Sequence, residues 1–124
     1  MGAEEFEATV SGDSVKDAFW AAVQQAQYDY GHSGYTGTIA EKGEYVVFKA
    51  PAGTDDAMIM QVIEAVSRFG WSGRQNSPED EAARIAYAAF PLDEMAAVFD
   101  DKWGPAGAIQ LADGSWHFFG MASS

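Results

Sequence analysis

Residues 5–10 alternate in polarity: Phe6, Ala8 and Val10 share one side of an extended chain, and Glu5, Glu7 and Thr9 the other. A period of two predicts a short, half-exposed strand. After Gly12-Asp13 the period changes. Val15, Phe19, Ala22, Val23 and Ala26 recur at helical spacing and form a buried stripe to about Tyr30. Ser14, followed three residues later by Asp17, gives a capping-box-like start, and Gly31 a natural stop. A second helix opens at Asp55-Asp56, with Ile59, Val62, Ile63, Val66 and Phe69 as its stripe. Ser77-Pro78-Glu79-Asp80 starts a third, running to about Ala89: a cap, Pro at the first position, then acids. Pro91 separates it from a short helix over 93–101 in which Met95, Val98 and Phe99 face inward.

The remaining segments read as hairpins. Tyr35–Ala40 and Tyr45–Ala50 flank Lys42-Gly43, and the run Tyr45-Val46-Val47-Phe48 is apolar on both sides, as a central strand is. Gly107–Ala112 and Ser115–Ala122 flank Asp113-Gly114, a strong short-range hairpin signal. The order is β-α-β-β-α-α-α-β-β. It predicts an α+β fold, a mostly antiparallel sheet of about five strands with three or four helices on one face. Residues 1–124 form one domain, since no linker, repeat or low-complexity stretch interrupts them.

Charge narrows the function classes. Nineteen acids face seven bases, a net charge of −12. That balance opposes direct binding to nucleic-acid phosphates or an anionic membrane, and suits high solubility, a basic protein partner or a metal cation, with solubility alone the plainest reading. Aromatics reach 14% and hydrophobics 48%, enough for a real core. With no cysteine, disulfides and thiolate zinc sites are excluded. No apolar run approaches a membrane span, and the start of the chain lacks signal-peptide regions, so a cytoplasmic location is expected.

Two stretches are distinctive: Gly31 to Lys42 (GHSGYTGTIAEK), and Asp101 to Gly107 (DKWGPAG) with the closing Phe118 to Ser124 (FFGMASS). Together they resemble a group of small bacteriophage and actinobacterial proteins to which no activity is assigned. The resemblance implies a phage or bacterial origin and expression inside the cell. It brings no catalytic residue with it.

Candidate chemistry falls in four places. The loop Gly31–Thr38 combines glycines with His32, Ser33, Tyr35, Thr36 and Thr38; its N–H and hydroxyl donors suit a phosphate-bearing ligand, with Lys42 or Arg74 offsetting charge. The spacing is neither a P-loop nor a dinucleotide fingerprint, and an ordinary helix-to-strand connection is the plainer explanation. His32 and His117 are candidate acid–base groups, although no nucleophile motif accompanies them. The acids Asp55-Asp56, Glu79-Asp80, Asp93-Glu94 and Asp100-Asp101 lack any metal-loop spacing, and dipole complementarity at helix starts accounts for most of them. No metal site and no cofactor is expected. Among the aromatics outside or beside the stripes, Trp20 and Trp103 could anchor a partner, and the two glycine-rich turns could bring Trp103 beside Tyr35.

The leading expectation is a non-enzymatic interaction protein that binds or inhibits a host protein, such as a basic nucleic-acid-binding one. Its face would be formed by Asp55, Asp56, Glu79, Asp80, Asp93, Glu94, Trp20 and Trp103. The alternative is a small-ligand or nucleotide-binding protein, or an enzyme, using the Gly31–Thr38 loop. A homodimer through an edge strand or the aromatic margin of the first helix is a further expectation.

Overall fold

The computed structural model describes residues 2–31, 34–69 and 78–124. Strand β1 spans Ala3–Val10 and leads to helix α1, Val15–Tyr30. The Ser14 hydroxyl accepts from the Asp17 N–H at 3.1 Å and caps the helix; Gly31, at φ +90°, returns its N–H to the Gln27 carbonyl. A single 3₁₀ turn, Ile39–Glu41, precedes β2, Tyr45–Phe48. Helices α2 (Asp56–Phe69), α3 (Pro78–Ala86) and α4 (Leu92–Asp100) follow, then β3 (Ala106–Gln110) and β4 (Trp116–Ser123).

The sheet order is β1-β4-β3-β2. Two of its pairings, β1 with β4 and β4 with β3, are antiparallel, and β2 runs parallel to β3. The fold is therefore α+β with a mostly antiparallel sheet, of four strands among the described residues.

Three expectations are corrected. The helices cover both faces of the sheet, not one. Phe118 and Phe119 are adjacent on β4 and both fully buried, so successive side chains enter opposite cores. Phe118 joins Ala106, Ala108 and Ala122 beneath Ala18, Phe19, Ala22 and Val23 of α1. Phe119 joins Phe48 and Ile109 against Ile63 and Val66 of α2 and Met95 and Phe99 of α4. Its ring stacks at 5.6 Å on Phe99 and at 6.0 Å on Phe48. Gly107, opposite Phe119 in the ladder, leaves that ring room: a Cβ there would lie 2.5 Å from it.

The hairpin at 35–50 is also absent. Gly34, Tyr35 and Gly37 all take positive φ, which interrupts an extended chain, and Thr38 caps the 3₁₀ turn instead. Lastly, β2 is an edge strand rather than a central one. Its apolar character on both sides serves the two cores, Tyr45 against Phe19 and Phe48 against Phe119, while Val46 and Val47 remain 42% and 49% exposed.

Candidate functional site

The glycine loop already holds an anion of its own. The Glu41 carboxylate accepts from the Thr36 hydroxyl at 2.7 Å and from the Thr36 N–H at 3.2 Å. With the Thr36 proton committed there, Thr38 donates to Thr36 at 2.8 Å and accepts from the Ala40 N–H. Burial raises the Glu41 pKa, but hydrogen bonds from the Thr36 side chain and from the Thr36 and Tyr35 backbone outweigh it, and the net shift is downward. The Thr36 and Thr38 donors expected to bind phosphate are thus answered from within the chain.

Lys42 turns away from the loop. It is 3% exposed, and its ammonium donates to the carbonyls of Gly104 at 2.9 Å, Lys102 at 3.0 Å and Asp101 at 3.5 Å. Burial lowers its pKa, with the Asp101 charge pulling the other way. These contacts tie the start of β2 to the end of α4. They also position Trp103, whose ring meets Tyr35 edge-on at 6.2 Å, so the two turns do bring those aromatics together. His32, Ser33, Arg74 and the Asp80 side chain lie outside the described residues.

The acids at helix starts are spread over separate tasks. Asp55 caps α2 through the Met58 N–H at 2.8 Å, and Asp56 accepts from the Ala112 N–H at 2.9 Å. Asp93 pairs with Arg84 at 3.0 Å. Glu79 is exposed on α3, and Glu94 borders a small apolar groove beside Val46 and Ala97. Trp20 stands on α1, on the other side of the sheet from α2 and α4, edge-on to Phe19. Trp103 is exposed, with the Lys102 ammonium 5.3 Å from its ring centre.

A different acidic surface emerges along β1. Among the described residues this strand pairs only with β4, and no backbone partner is found on its other side. A groove of about 530 Å³ separates it from α1, floored by Ala22, Ala26 and Ile39 and walled by Glu4 and Asp29. A second groove of about 500 Å³ separates it from α2, floored by Met60, Ile63 and Phe99 and walled by Glu5, Glu7 and Glu64. Among the described residues no Lys or Arg lines either groove, though Glu64 lies 3.6 Å from Arg68. Among the described residues no three acids or imidazoles converge closely enough to hold a metal ion, so these are rows of separate carboxylates.

Behind β1 sits His117, 3% exposed and stacked near Phe119. Its Nδ1 lies 2.8 Å from the Thr9 hydroxyl, and its buried Nε2, with no hydrogen-bond partner among the described residues, lies 3.6 Å from Glu7 Oε1. Burial lowers the imidazole pKa, and the Glu7 charge opposes that shift. Sequence reasoning placed Glu5, Glu7 and Thr9 on the polar side of the strand but missed the site, because Asp29 and Glu64 join it from distant helices.

No helix among the described residues is long and apolar enough to cross a membrane. No protein-family model matches the chain, and neither a curated protein nor a solved structure does.

Proposed function

We propose that this chain is a non-enzymatic interaction protein that engages a basic protein partner through the acidic rim of β1. The observation that carries this reading is the run Glu4, Glu5 and Glu7 on an open strand, extended by Asp29 on one side and Glu64 on the other. A surface of one sign steers an oppositely charged partner and discriminates against others. A basic nucleic-acid-binding protein fits best, since carboxylates in a row compete with phosphates for the same Lys and Arg side chains. The resemblance to phage and bacterial proteins points to a host protein in the cytoplasm as the target.

The alternative, a ligand or catalytic site at Gly31–Thr38, has the Tyr35–Trp103 contact in its favour. It is supported less, because Glu41 takes the Thr36 donors and Lys42 is spent on backbone carbonyls.

The test is competition. Basic DNA-binding domains carrying labelled duplex DNA are titrated with the protein and with two variants, E4Q/E5Q/E7Q and E44Q/E81Q/D100N. Both remove three charges, but only the first touches the rim. The expected result is displacement by the wild type and the control, weakened at least about tenfold in the rim variant, in line with coupling energies of close charge pairs. Equal weakening in both variants would reduce the effect to bulk charge and remove the reading.

A further inference from the structure

Resting on that reading, we infer that the partner contributes an extended, Lys- or Arg-rich segment that adds to the sheet as a new strand beside β1. The first support is backbone geometry. An antiparallel strand turns alternate N–H and C=O groups away from its neighbour, and β1 offers such a row over eight residues with no partner among the described residues. The second is the placing of the two grooves. They flank the same strand on its two faces, so successive side chains of an added strand would enter them alternately.

The chemistry of the grooves selects the occupant. Each has an apolar floor under a carboxylate wall, which suits side chains with a methylene stem and a cationic head. A second copy of this chain is disfavoured as occupant. Antiparallel pairing of two β1 strands centred near Phe6 sets Glu5 of one copy against Glu7 of the other, and like charges directly opposite repel.

The probe is an eight-residue peptide, matching β1 in length, with lysines facing both sides of the strand and valines between. Two further peptides carry N-methyl groups on alternate amides, one set on each edge. Binding to the full chain is followed by fluorescence anisotropy, amide exchange of residues 3–10 and sedimentation. The expected result is that one methylated peptide binds at least about tenfold more weakly while the other stays within about twofold, since only one edge donates to β1. The β1 amides should gain protection in the complex. Equal affinity of the two methylated peptides would overturn strand addition, and if E4Q/E5Q/E7Q still loses its competition for the basic domain, the acidic-rim reading survives that failure. A dimer formed through β1 in the absence of peptide would also overturn it, by assigning the edge to a second copy.

Discussion

The two edges of the sheet are guarded in different ways. β1 is eight residues long, fully paired to β4 on its inner side, and carries Glu4, Glu5 and Glu7. β2 is four residues long, parallel to β3, and leaves Val46 and Val47 half exposed. An open strand edge invites pairing with other chains, and proteins blunt it with charge or with shortness. Here the long edge has charge and the short edge has neither the length nor the acids. Charge on an edge is selective as well as protective, since like charges directly opposite repel and opposite charges attract.

The comparison breaks first at Phe6. This side chain is buried, faces Gly120 across the ladder and anchors β1 to the α1-side core. Phe6→Ala should cost about 3–4 kcal/mol, against less than about 1 kcal/mol for the half-exposed Val46→Ala. Denaturant unfolding measures both, and equal costs would mean the two edges are anchored alike.

Lys42 sharpens the β2 side. Replacing it with Met keeps the buried stem but leaves the carbonyls of Lys102 and Gly104 without their donor. The expected loss is about 2 kcal/mol, the penalty for unsatisfied buried acceptors. A neutral outcome in the same unfolding assay would show that water replaces the ammonium there.

A smaller effect is expected from acid. Because burial holds the His117 pKa below its ordinary value of 6.5, the unfolded chain takes up a proton that the folded chain does not. Stability from this residue is whole above that value and declines as pH falls from it toward the lower folded pKa. Glu41, with its folded pKa lowered, adds a further decline below its ordinary 4.5. His117→Phe should flatten the first decline between neutral and mildly acidic pH while leaving the second; an unchanged pH profile would contradict it.

The elements legible beforehand are those decided within a few residues. The alternation of 5–10, the Ser14 cap, the stripes of α1, of α4 and of α2 as far as Val66, and the Asp113-Gly114 hairpin appear where the pattern puts them, with Gly114 at φ +89°; the Phe69 side chain lies outside the described residues. The strand expected at 35–40 fails for an equally local reason that the pattern conceals. Gly34, Tyr35 and Gly37 take positive φ there, and the Glu41 carboxylate, five residues beyond Thr36, reaches back to accept from its hydroxyl. The candidate site divides the same way. Alternation alone turned Glu5 and Glu7 outward, but nothing in their spacing showed that a groove lay on either side. His117, on a strand of aromatics, gave no sign of its buried contact with Thr9, 108 positions away.

By itself, then, the chain's pattern determined its class, its helices, its charge and the polar side of β1, since periodicity and capping depend on neighbours along the backbone. Tertiary structure decided the strand order, and with it which strands became edges. It also decided that Lys42 would bind the turn that follows α4 rather than face the glycine loop, and that Asp29 and Glu64 would meet β1. Those outcomes rest on contacts between residues far apart in the chain, whose free energy comes from how two faces fit when a core closes and leaves no local trace in the order of residues.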